Sequence, residues 1–165
     1  MTQLNTVCPD FTYASLRNNQ PRQVPRVSAR NFEMRMKCSY TGSGNDVASL
    51  GVEHSINGRW ENFDLQVTSP GFEIFVYAIF TCQHMYMRVN SAERGLQLAS
   101  SEGNISVGAD ENWNLDTLMV TFSVTAASGT ANQEDIDYIV SRMKLCPVSK
   151  NIHAVSGAET TITVL

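Results

Sequence analysis

Residues 70–87 read Pro70-Gly71-Phe72-Glu73-Ile74-Phe75-Val76-Tyr77-Ala78-Ile79-Phe80-Thr81-Cys82-Gln83-His84-Met85-Tyr86-Met87, and the fold turns on how this stretch is read. A membrane helix needs about 20 mostly apolar residues. This run is shorter and is interrupted by Glu73, Gln83 and His84. Pro70 and Gly71 start a helix running to about Arg94, with Gly95 as its C-terminal stop. Phe72, Phe75, Val76, Ile79, Phe80 and Tyr86 make it apolar nearly all round, so it is expected to be buried on most sides.

Upstream, Phe32, Met34, Met36, Cys38 and Tyr40 alternate with Glu33, Arg35, Lys37 and Ser39, the period of a half-buried strand that points Cys38 into the core. After the Gly42-Ser43-Gly44 turn, strands are expected at Leu50–Ile56 and Arg59–Val67. They flank Asn57-Gly58, which supplies the positive φ values of a type I′ hairpin. Downstream, strands are expected at Leu96–Val107 and Leu115–Ala126. A helix follows in which Ile136, Ile139, Val140 and Met143 recur at helical spacing, then a short helix from Pro147 and a last strand at Glu159–Leu165. The order β-β-β-α-β-β-α-α-β, with helices grouped against one antiparallel sheet, is an α+β fold.

The 165 residues suit one domain. With 42% hydrophobic and 17% charged residues, the chain has the apolar content to build a core. Residues 1–29, with Pro9, Pro21 and Pro25 and no apolar period, read as an extended N-terminal arm, leaving 30–165 as the domain. Met1 to Asp10 lack a basic stretch followed by an apolar one, so a cytoplasmic location is expected. The net charge of -4, without a lysine or arginine cluster, argues against nucleic acid as a partner. In a reducing cytosol the four cysteines are not expected to form a structural disulfide framework.

Cys146-Pro147-Val148-Ser149 puts a cysteine at the N-cap of a helix, since proline is favoured at the first helical position. Lowering a thiol pKa by about 2 units takes about 2.7 kcal/mol, more than the roughly 0.3–1 kcal/mol of a surface helix dipole, so the cap alone does not make Cys146 reactive. It equally reads as a residue that ends one helix and caps the next. Cys82, mid-helix, reads from composition as an inert core thiol. Glu73 near the helix start and Arg59 just after the hairpin turn are either two surface charges or a pair in which the carboxylate holds a guanidinium facing Cys82. A metal site from Cys82 and His84 with Cys146 or His153 is not expected, because residues two apart on a helix point to different sides and no CxxC pair exists. Cys8 and Cys38 fit no motif.

The buried helix carrying Phe80-Thr81-Cys82, with Cys146-Pro147-Val148-Ser149 another 64 residues on, resembles the osmotically inducible protein C / organic hydroperoxide resistance (OsmC/Ohr) family, over roughly Phe32 to Leu165. The resemblance implies an intertwined homodimer acting as a thiol-dependent peroxidase on organic hydroperoxides, with no cofactor. Cys82 would be the peroxidatic cysteine and Cys146 the resolving one, and a lipoyl-type or small dithiol would reduce their disulfide. It also implies an arginine and a glutamate. Glu73 matches the glutamate with a shifted register. Gly44-Asn45-Asp46 stands where one branch of the family has Gly-Arg-Asp, so Arg59 is the candidate to polarise the peroxide, oriented by Glu73. The alternative is a dimer with altered catalysis that binds an apolar ligand in the same pocket. A third possibility, a purely structural or interaction protein, predicts that Cys82 and Cys146 lie far apart.

Overall fold

The computed structural model describes residues 28–152 and 158–165. The expected arm at 1–29 therefore lies outside them except for Ser28 and Ala29, and so do Cys8 and His153. The elements are β1 (Arg30–Thr41), β2 (Asp46–Ile56), β3 (Arg59–Asn62), α1 (Gly71–Glu93), β4 (Gln97–Ala109), β5 (Leu115–Ser128), α2 (Gln133–Lys144), α3 (Pro147–Lys150) and β6 (Ala158–Val164). This is the order read from the sequence, in an α+β fold. The sheet has six strands in the order β3-β2-β1-β4-β5-β6.

The alternation along β1 sends Met34, Met36, Cys38 and Tyr40 into the core. Antiparallel partners on both sides, β2 and β4, place β1 at the centre of the first half of the sheet. The Asn57-Gly58 turn has φ of 52° and 78°, the left-handed pair that its type I′ geometry demands. β2 begins at Asp46, four residues before the expected Leu50, whereas β3 stops at Asn62, well before Val67. One more bond to β2 follows, from the Phe63 N–H to Val52 O, and the Phe63 ring is buried. A turn closed between Gln66 and Ser69 then lifts the chain into α1.

Two expectations need correction. The sheet is mixed, since β6 runs parallel to β5. The two helices between them carry the chain back to the start of β5, which a parallel partner requires. Nor is α1 buried evenly on the sides that it covers. Its fully enclosed residues, Val76, Ile79, Phe80, Gln83, His84, Met87, Asn90 and Ser91, form one stripe at helical spacing, while Met85 and Val89 on other faces are 44% and 48% exposed. Gly95, with φ 75°, ends the helix as expected: its N–H reaches Ala92 O and that of Leu96 reaches Ser91 O. Among the described residues no helix is long and apolar enough to cross a membrane.

The buried stripe of α1 meets the sheet where Phe80 stacks on Phe122 of β5, ring centroids 5.6 Å apart. Gly103 of β4 lies between Met36 and Phe122 in the register and makes room for that ring; a Cβ there would sit 2.6 Å from it. Gly103→Ala is expected to lower the unfolding free energy by about 1–3 kcal/mol through overpacking, measured by urea denaturation. An unchanged midpoint would show that Phe122 has slack to move.

Candidate functional site

α2 begins at a capping box, Asn132 with Asp135, and ends at Leu145. The chain turns at once into α3, with Cys146 as its N-cap and Pro147 at the first helical position. That short turn lies against the middle of α1. There the structure joins Cys146 to Cys82 in a disulfide, with 6.2 Å between Cα atoms across 64 residues of chain. Cys146 is fully buried, whereas Cys82 is only partly covered.

Polar atoms converge on one of the two sulfurs. The backbone N–H of Ser149 donates to Cys146 Sγ at 3.4 Å, and the Ser149 hydroxyl lies at the same distance from it. That hydroxyl oxygen accepts from Gln83 Nε2 at 2.9 Å, and Gln83 Oε1 accepts from the Thr160 hydroxyl of β6 at 3.2 Å. Gln83 is almost fully buried, so its amide is committed to this chain of bonds. Among the described residues, no charged side chain is hydrogen-bonded to either sulfur.

A cavity of about 740 Å³ is lined by Phe75, Asn114, Leu115, Pro147, Val148, Asn151 and Ile152. Phe75 is two helical turns before Cys82, on the same side of α1. Pro147 and Val148 directly follow Cys146. The cleft is thus walled in part by the two residues that follow Cys146 in the chain, and its lining is mostly apolar. Phe72 packs on Phe75 of the lining and on Phe32 and Trp113, and the Arg30 guanidinium covers the Trp113 ring at 4.4 Å.

The Arg59–Glu73 pair expected from the sequence is not formed. Arg59 is exposed on β3 and takes part in no ion pair among the described residues, while Glu73 Oε2 lies 3.1 Å from His54 Nδ1 on β2. The hairpin turn holds Arg59 at the sheet edge, and β2 brings the nearer base to the start of α1. His84 is not a neighbour of the thiol pair either. Two residues on from Cys82, about 200° round the helix, it faces the sheet.

There His84 Nε2 lies 2.7 Å from the Tyr40 hydroxyl, which is 2.5 Å from Ser101 Oγ. Burial, with a smaller contribution from the positive charge of Arg88, lowers the His84 pKa to about 4. Burial likewise raises Tyr40 and Cys38. The consistent assignment is a neutral network in which Ser101 donates to Tyr40 and Tyr40 to His84. Alternation along β1 placed Tyr40 inside, but the sequence carried no sign that His84 and Ser101 would be its partners. For Gln83 a signal did exist, a lone amide in an apolar run. Among the described residues no group of three His, Cys, Asp or Glu side chains is placed to hold a metal ion.

No family model matches the sequence, and no curated protein matches it. Solved structures do. The chain is similar to OsmC-like and organic hydroperoxide resistance proteins. An OsmC-like protein from Mycoplasma pneumoniae is 10% identical, with a TM-score of 0.46 over 70% of this chain and 87% of that one. An OsmC-like hydroperoxide resistance protein from Jannaschia sp. CCS1 is 11% identical, with a TM-score of 0.48 over 76% and 89%. The organic hydroperoxide resistance protein OhrB of Bacillus subtilis is 14% identical, with a TM-score of 0.38 over 78% and 96%.

Asn45, which the resemblance sets against an arginine of one OsmC/Ohr branch, is fully buried and has a structural task. With φ 53°, its side chain donates to Arg88 O and Leu96 O and accepts from Leu98 N, while its own carbonyl accepts from Arg88 Nη1. It pins the β1–β2 turn to the end of α1 and the start of β4.

The buried neutral histidine has a measurable consequence. Its folded pKa of about 4 lies below the unfolded value of about 6.5, so the unfolded chain binds more protons between these pH values. Its contribution to stability is complete above about pH 6.5 and declines as pH falls towards 4, by about 3 kcal/mol in all. Urea unfolding of the parent chain and of His84→Gln across pH 4–7 should show a steeper slope in the parent, carboxylates contributing alike to both. Equal slopes would mean that His84 is not held neutral.

Proposed function

We propose that this protein is a thiol-dependent peroxidase for organic hydroperoxides, a member of the OsmC/Ohr family that acts in peroxide defence. The observation that carries this reading is the bond between Cys82 and Cys146, the second of which directly precedes Pro147 and Val148 in the wall of an apolar cleft. Cytosolic disulfides in ordinary proteins are mostly catalytic or redox-sensing. One that joins a half-covered sulfur to a buried one beside a greasy cavity suits a substrate with an apolar body and a reactive O–O group.

In this mechanism the Cys82 thiolate attacks the terminal oxygen of ROOH. The O–O bond breaks, the alkoxide takes a proton and leaves as ROH, and Cys82 is left as a sulfenic acid. The Cys146 sulfur then attacks Cys82 Sγ. The S–O bond breaks, water leaves, and the disulfide forms. A lipoyl-type or small dithiol returns both sulfurs to thiols, giving up two electrons and becoming a disulfide itself. Arg59 in solvent and Glu73 on His54 are given no part in these steps. The proposal includes a cytoplasmic homodimer, whose second copy would cover part of the exposed apolar surface at Met85 and Val89 on α1 and at Val47 and Leu50 on β2.

A second reading, a dimer of the same fold that binds an apolar ligand without turning it over, is favoured by the absence of a bonded cation at either sulfur among the described residues. Cumene hydroperoxide and dihydrolipoamide separate the two readings. A peroxidase consumes the peroxide, loses that activity in Cys82→Ser, and prefers cumene hydroperoxide to hydrogen peroxide by about tenfold or more in kcat/KM, since each apolar group in a pocket contributes a factor of that order. Consumption at the background rate, or unaltered in Cys82→Ser, would leave the ligand-binding reading.

A further inference from the structure

The two sulfurs of the disulfide are not equivalent. Cys146 Sγ is enclosed and receives the Ser149 N–H, and the Ser149 hydroxyl beside it is itself held by Gln83. Because Ser149 Oγ already accepts from Gln83 Nε2, its proton is left free to point at sulfur. Thr160, bonded to the other end of the Gln83 amide, keeps that amide from turning over. Cys82 Sγ has no such donors among the described residues and belongs to the less buried of the two cysteines.

From this asymmetry we propose that Gln83 is a positioning residue which, through Ser149, makes Cys146 the leaving thiolate when the disulfide is reduced, so that the external dithiol attacks Cys82. The inference rests on the redox reading above and assigns a direction to its reductive half. One thiolate of the dithiol attacks Cys82 Sγ along the line of the disulfide. The Cys82–Cys146 bond breaks and its electron pair goes to Cys146 Sγ, where two donors receive the charge. A mixed disulfide now joins Cys82 to the reductant. The second sulfur of the reductant attacks its own bonded sulfur, Cys82 leaves as thiolate, and the reductant departs as a cyclic disulfide. The two protons of the dithiol end on the two cysteines. Exchange is faster when the departing thiol has the lower pKa, so donors placed at the leaving sulfur speed this step.

The test uses the full chain in a Cys82→Ser background, with the cysteine ¹³Cβ shift of Cys146 followed against pH. A hydrogen bond to a charged group is worth about one to two pKa units. The Cys146 pKa is expected below the usual value of about 8.5 and should rise by about that amount in Ser149→Ala and in the volume-conserving Gln83→Met. Ser149→Thr, which keeps the hydroxyl, should retain the low value. Gln83→Glu should raise it at least as much as Gln83→Met, because a carboxylate draws the serine proton away from sulfur. If Gln83→Met does not fold, Gln83→Glu and Ser149→Ala decide the matter.

In the chain with both cysteines present, 2-mercaptoethanol followed by rapid alkylation should leave the adduct on Cys82 and the alkyl group on Cys146 by mass spectrometry. Dithiol reduction should slow about threefold to tenfold in Gln83→Met. A Cys146 pKa indifferent to Gln83, or an adduct on Cys146, would overturn the assignment. Absence of peroxide turnover with this pKa pattern intact would remove the peroxidase reading and leave the positioning role standing.

Discussion

Helix α1 has to serve two neighbours at once, and the rest of the molecule is arranged around that demand. Toward the sheet it presents a stripe from Val76 to Ser91 that stacks Phe80 on Phe122. Toward α3 it presents Cys82 and, at the edge of that same stripe, Gln83, which meet Cys146 and Ser149. Both contacts depend on the rotational setting of one rigid cylinder, because residues one apart on a helix differ in direction by about 100°. A small turn of α1 about its axis would separate the sulfurs and uncouple Gln83 together. The α2 helix helps to prevent that turn: Arg142 donates to Asn90 Oδ1, and Arg94 pairs with Asp135 near the helix end.

The polar groups divide accordingly. On the sheet side, Tyr40, His84 and Ser101 form a closed network kept neutral by burial, suited to fixing the helix rather than to moving charge. On the α3 side the amide of Gln83 forwards hydrogen bonds to a sulfur. The site's electrostatics are therefore built from dipoles and hydroxyl groups, which can settle a charge on Cys146 while the charged side chains sit elsewhere. Arg35 pairs with Glu53 and stacks on Trp60 on the outer face of the sheet, Glu73 goes to His54, and Arg88 is turned to the Asn45 carbonyl.

Local patterns carried far in the sequence. The period of two in β1, the Asn57-Gly58 turn, the helical stretch closed by Gly95 and the Cys-Pro start of α3 are each set by backbone sterics within a few residues, and all four stand in the structure. Element ends were less legible. β3 is short because the chain, after Phe63 buries its ring, turns between Gln66 and Ser69 towards α1, which no local pattern announced. The burial of α1 was overread because aromatic residues around a helix show only that each finds some partial cover. Which face is enclosed depends on where the sheet lies.

By itself the sequence determined the order of elements, the inward face of β1 and the presence of two cysteines at a helix centre and a helix start, since these follow from side-chain period and local backbone preference. Tertiary structure alone decided which groups share the site. It set the direction of β6, sent Glu73 to His54, left Arg59 at an edge, filled Asn45 with structural hydrogen bonds, and joined Gln83 through Ser149 to Cys146. The physical reason is one of range. Periodicity says which way a side chain points, but its partner is set by the packing of elements tens of residues away, where a hydrogen bond forms or fails over a few tenths of an ångström.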